Sequence, residues 1–274
     1  MTQSQPRAET LLAPRPRVRS VDEALAPLNQ LAQSSPNLLA KPLGRMVLDD
    51  EPRALPRYLF VGPKGGDEPL RLAIFAGLHG NEAEGVFGLL RFIKALETAP
   101  ELARGYFLFL YPICNPGGFE SDTFLNRNGR DLNQQFWTES PEPEVQWLQS
   151  EICCHAFHGI IVLRSNYAGN GIYGHVGAAT LSRHLLEPAL AATEAVLPRN
   201  TLETVQGIPV QKGVAKAPAR GILSGHPGIR PRPFEIVLNT PKSAPQYQQE
   251  QAFVLALQAI LDNYRQFMAF AQHL

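Results

Sequence analysis

The chain has 274 residues, 44% hydrophobic and 18% charged, with 25 Lys and Arg balanced by 25 Asp and Glu. This composition supports a sizeable core and speaks against global disorder. Zero net charge and the lack of a long Lys/Arg block argue against a nucleic-acid or membrane-surface partner.

The first twenty residues, rich in Pro and Arg, read as an arm that precedes one domain over residues 21–274. The arm lacks the continuous apolar stretch of a secretory signal, and no 18-residue apolar run marks a membrane span. The three cysteines, Cys114, Cys153 and Cys154, are an odd number with two adjacent, a poor disulfide framework. A cytoplasmic location is expected. "SVDEALAPLNQLAQ" has helical spacing, with Ser20 or Asp22 as N-cap. "RYLFVG" and "LRLAIFAGL" read as strands across the turn "PKGGDE", which lacks phosphate-loop spacing. Next come a helix in "AEGVFGLLRFIKALETAP", a strand in "GYFLFLYPICNP", a helix in "PEPEVQWLQSEICCHAFH" and a strand in "GIIVLRSN". "LSRHLLEPALAATEAVL" reads as helix, "PFEIVLNTP" as strand, and "YQQEQAFVLALQAILDNYRQFMAFAQ" as a closing helix. Apolar strands alternating with helices predict an α/β fold, three-layer α/β/α, with a mostly parallel mixed sheet.

Ligands of such sheets sit outside the carboxyl ends of the strands. Four segments end there: Leu78–Glu82, Cys114–Gly118, Arg164–Asn166 and Asn239–Pro241. The first, "LHGNE", sets His79 and Glu82 three residues apart after a buried strand, as a zinc hydrolase would place two ligands.

Together, "AGLHGNEAEG", "YPICNPGGFE", "NRNGRDLNQQF", "PEPEVQWL" and "NTPKSAP" resemble, in order, segments of the zinc carboxypeptidase family of carboxypeptidase A type. The resemblance spans roughly residues 25 to 270 and is closest to the bacterial branches that include the succinylglutamate desuccinylase/aspartoacylase group. It implies a zinc-carboxypeptidase-like (phosphorylase/hydrolase-like) fold. It also implies a metallocarboxypeptidase-like amide hydrolase acting on a peptide C-terminus or an N-acyl amino acid, with zinc as cofactor. His79 and Glu82 would be metal ligands, Asp131 would support the loop, and Asn133, Gln134 and Arg127 would face a ligand carrying a carboxylate.

Four positions depart from the family pattern. Arg164 stands in the third-ligand slot, normally a His, and Asn239 in the slot of the general-base Glu. Gln134 replaces the arginine that pairs with the substrate carboxylate, and Phe124 the arginine of the oxyanion site, with Arg127 and Arg130 nearby. Glu235 shares a strand face with Asn239 but lies about 13 Å away at roughly 3.3 Å per residue, too far to act on the same water. Two readings follow: Arg164 occupies the metal position as a fixed cation paired with Glu82, or it swings out and His175 completes the site. The first makes the chain a metal-free pseudoenzyme that binds a small ligand or partner. The second keeps it a hydrolase. His155, His158, Cys153 and Cys154 read as helix-end or core groups, His226 as loop, and Trp137 and Trp147 as core or surface aromatics.

Overall fold

The computed structural model describes residues 19–48, 51–66, 68–176, 179–215, 228–230 and 232–271. All but the last two residues of the expected arm, and His226, lie outside the described residues. The strands are β1 (Leu38–Ala40), β2 (Leu43–Leu48), β3 (Glu51–Leu55), β4 (Tyr58–Val61), β5 (Leu70–Phe75) and β6 (Tyr106–Tyr111). They continue with β7 (Gly159–Asn166), β8 (Tyr173–Val176), β9 (Thr204–Val205), β10 (Ile208–Gln211), β11 (Val214–Ala215) and β12 (Phe234–Pro241). Ten of them form one sheet in the order β1-β4-β6-β5-β7-β12-β8-β11-β10-β9, while β2 and β3 pair separately.

The four central strands β6, β5, β7 and β12 run parallel, and antiparallel strands lie on both sides of them. Both faces of these strands are covered along their middle stretches, which is why residues 72–75, 108–111, 160–163 and 236–238 are all apolar. Leu72, Ile74, Leu108, Leu110, Ile161, Leu163, Ile236 and Leu238 point to one core, and Ala73, Phe75, Phe109, Tyr111, Ile160, Val162 and Val237 to the other. The first core is closed by α1 (Val21–Ser34), α2 (Ala83–Thr98), α6 (Glu187–Thr193) and α7 (Gln246–Ala271). The second is closed by α4 (Pro143–Cys154) and the segment of Leu132 and Phe136. The expected three-layer α/β/α architecture is therefore present. Among the described residues no helix is long and apolar enough to cross a membrane.

Ser20 caps α1, its Oγ accepting from the Glu23 amide. The segment "LSRHLLEPALAATEAVL" is not one regular helix: a π-helical turn, Ser182–Leu186, separates the short α5 (Ala179–Leu181) from α6. Strands β8 to β11 carry no sequence signal because they are two to four residues long and broken by Gly207, Pro209 and Gly213. Glu235 is a strand-start residue and not an edge residue, since β12 is flanked by β7 and β8.

Candidate functional site

His79 and Glu82 lie in the turn between β5 and α2, and both are buried. This turn packs tightly on the start of α3 (Pro116–Ser121): a Cβ on Gly80 would stand 1.8 Å from the Gly118 carbonyl carbon. Only glycine permits that approach. Asn115 fixes the other side, donating to the Leu78 carbonyl at 3.4 Å and capping α3 through the Gly118 amide at 2.9 Å.

Arg164 extends from the carboxyl end of β7 into this turn. Its Nε donates to Glu82 Oε2 at 2.9 Å and Oε1 at 3.2 Å, and its Nη2 lies 2.9 Å from His79 Nδ1. His79 Nδ1 and Glu82 Oε1 are themselves 2.9 Å apart. With the imidazole proton on Nε2, two acceptors converge on one guanidinium, as two ligands would on a metal ion. That proton then points to Asp131 Oδ1, 2.9 Å away. Phe124 covers the imidazole, its ring 3.7 Å from that of His79 and inclined by 26°.

Asp131 is held in turn. Its Oδ1 also accepts from the Asn133 amide at 3.0 Å. The loop before it is organised by the buried Glu142, which accepts from Asn126 and Asn128 through Oε2 and pairs with Arg130 Nε at 2.9 Å through Oε1. Glu142 and Asn126 are essential to the site's shape, yet in the sequence Glu142 signals only the start of a helix. The Asn/Gly turn "NRNGR" was the available hint that this loop folds on its own side chains.

The remaining candidates are placed as follows. Asn133 is buried, and its Oδ1 has no hydrogen-bond partner among the described residues. Gln134 and Arg127 are exposed, with the Arg127 side chain lying over Gly117. Asn239 stands beside Arg164 in register on β12, its Oδ1 accepting from Asn166 Nδ2 at 3.2 Å. His175 is on β8, where Nδ1 meets the Ala215 carbonyl at 3.3 Å. His155 packs against Phe109, and Cys153 and Cys154 are exposed free thiols at the end of α4, which leads into the start of β7 and so away from the carboxyl end that carries Arg164.

Burial alone would raise the carboxyl pKa of Glu82, but the Arg164 guanidinium against it acts in the opposite direction and the carboxyl is held below its usual value. Asp131 follows the same pattern: burial raises it, and contacts with His79 chiefly pull it below normal. Carboxylates with depressed folded-state pKa values stabilise the fold above their unfolded values and lose that contribution as pH falls through the folded ones. Stability measured by urea unfolding is therefore expected to be flat near neutrality and to fall below pH 4.5, the ordinary value for Glu. Glu82→Gln should flatten that acid limb; an unchanged limb would remove Glu82 from this role.

Zinc needs three protein ligands and an open position. The donor set does not fit: two potential ligands face a guanidinium, and no group of three His, Cys, Asp or Glu side chains able to hold a metal ion occurs among the described residues. At about 4 Å and an effective dielectric near 20, a divalent ion and a guanidinium would repel by roughly 8 kcal/mol, twice the figure for two unit charges.

Residues 69–152 match the family profile of the succinylglutamate desuccinylase/aspartoacylase catalytic domain. No curated protein is found to be similar. Among solved structures, a candidate metallopeptidase of Shewanella denitrificans OS217 aligns with a TM-score of 0.72 at 24% identity, over 88% of this chain and 89% of its own. A metallo-carboxypeptidase from Burkholderia cenocepacia aligns with a TM-score of 0.69 at 16% identity, over 91% and 70%. Thrombin activatable fibrinolysis inhibitor aligns with a TM-score of 0.65 at 14% identity, over 93% and 78%. The fold is that of the metallocarboxypeptidases, and over residues 69–152 the chain carries the catalytic-domain pattern of the succinylglutamate desuccinylase/aspartoacylase family.

Proposed function

We propose that this chain is a metal-free pseudoenzyme of hydrolase ancestry, which binds a small molecule or peptide carrying a carboxylate and does not cleave it. The observation that carries the reading is the Arg164 guanidinium held on both Glu82 and His79. A fixed cation there satisfies the two acceptors that a metal would otherwise need. Three further features support it. Asn239 cannot take a proton from water as a Glu would, Gln134 offers no cation to a substrate carboxylate, and Phe124 stacks on His79. Residues that act as a catalytic unit are non-additive, so losing a ligand and the base together leaves little rate acceleration by the metal-hydroxide route.

A second reading, a zinc-dependent hydrolase of C-terminal residues or N-acyl amino acids, is favoured by the retention of His79, Glu82, Asp131 and Asn133. One measurement separates the two. The purified full chain, analysed for metal and assayed on C-terminal peptides and N-acyl amino acids, is expected to hold far less than one zinc per chain and to show no chelator-sensitive turnover. Stoichiometric zinc with turnover abolished by a chelator would establish the second reading instead.

A further inference from the structure

The sequence holds two Asn-Gly pairs, Asn128–Gly129 and Asn170–Gly171. Such a pair carries its own reaction: with no Cβ in the way, the glycine amide nitrogen can reach the side-chain carbonyl carbon of the asparagine before it. The fold treats the two pairs differently. Gly171 is buried, and a Cβ on it would stand 2.4 Å from the Pro198 carbonyl oxygen. The Asn170 carboxamide is tied at both ends to Thr201, its Nδ2 donating to Oγ1 at 2.8 Å and its Oδ1 accepting from the amide at 2.9 Å. Asn128 and Gly129 are exposed, and a Cβ on Gly129 would meet nothing within 4 Å among the described residues.

Two hydrogen bonds restrain the open pair. Asn128 Nδ2 donates to Glu142 Oε2 at 2.8 Å, and the Gly129 amide donates to the Asn126 carbonyl at 3.0 Å. Both must open before the nitrogen can attack, so the rate of reaction reports how often this turn opens. The product does not fit the closed turn. Where Asn128 offers Glu142 a donor, an acid offers a second carboxylate, and Glu142 is only 1% exposed. The same turn leads into Asp131, which meets His79 Nε2 and accepts from the Asn133 amide.

We propose that Asn128 is a self-deamidation site, restrained by Glu142, whose conversion loosens the loop that supports His79. The Gly129 nitrogen bonds to Asn128 Cγ, the Cγ–Nδ2 bond breaks, and the carboxamide nitrogen leaves as ammonia with the proton of the attacking amide. Water then opens the cyclic imide at either carbonyl, which leaves a carboxylate as aspartate or isoaspartate. Water is the only co-reactant. The proposal stands apart from the metal-free reading, since it needs neither zinc nor its absence.

The test follows both pairs in one sample. The purified full chain, incubated in mildly alkaline buffer and mapped by tandem mass spectrometry, is expected to convert Asn128 at least about tenfold faster than Asn170, whose hydrogen bonds and buried glycine hold it closed. In urea the two rates should converge. Glu142→Gln should speed Asn128 about tenfold, the effect of losing a hydrogen bond to a charged group, and leave Asn170 unchanged. A general loss of stability would speed both. The effect of the product is read separately: Asn128→Asp should lower amide hydrogen-exchange protection at Arg130 and Asn133 about tenfold further than Asn128→Ala, which removes the donor without adding charge. Equal rates at the two pairs in the folded chain, no selective acceleration of Asn128 in a folded Glu142→Gln chain, or identical protection in the Asp and Ala variants would overturn the proposal.

Discussion

The Arg164→His, Asn239→Glu double variant is expected to take up one zinc per chain, with sub-micromolar affinity, where the wild-type chain is expected to take up none. Sub-micromolar corresponds to more than about 8 kcal/mol of binding free energy. The first change removes a charge that repels a divalent ion and puts an imidazole at the end of β7, beside the carboxylate of Glu82 and Nδ1 of His79. The second restores a carboxylate at the neighbouring position, since Asn239 and Arg164 are partners in the β7–β12 register. Asp131 already meets His79 Nε2, the outer contact that orients a ligating imidazole. Zinc uptake, read by titration against a competing chelator, should therefore return ahead of turnover, because Gln134 and Phe124 remain in place. A folded double variant that binds no zinc would show that β7 does not deliver residue 164 to the metal position.

Glu82→Gln and Arg164→Met, made singly, should each destabilise the fold by about 3–5 kcal/mol, because each leaves a buried charge without its partner. Both carriers are withdrawn from water, with side-chain exposures of 3% for Glu82 and 14% for Arg164. The double variant should cost much less than the sum, with a coupling of at least about 2 kcal/mol. Total stabilities of about 5–15 kcal/mol make the single variants measurable but fragile, so urea unfolding at low temperature is the suitable readout. Additive losses would mean that the guanidinium and carboxylate do not act as a pair.

The central parallel strands and the helices that cover them were legible because they are long, apolar and buried on both faces. β5, β6, β7 and β12 fall within the stretches that their hydrophobic runs mark, and Gly159–Asn166 coincides with the run read from sequence. The ordered motifs at the strand ends carried the fold assignment. The antiparallel flank of β8 to β11 was not legible, because short strands punctuated by Gly and Pro leave no periodicity. The cost fell on the site: Tyr173, which accepts from Asn166 beside Arg164, comes from that flank and was not anticipated. Phe124 was seen only as a missing arginine, since nothing local to the sequence reveals that it stacks on an imidazole 45 positions earlier. Glu142 escaped for the same reason, its role being set by Asn126, Asn128 and Arg130 after folding.

The cation at the centre of this cluster is encoded in the chain. A metalloprotein's charge depends on supply and can be stripped by starvation, by sequestering agents or by exchange with a competing ion. Arg164 is delivered with every copy synthesised and is subject to none of these, so on the metal-free reading proposed above the charge of the pocket does not follow metal supply.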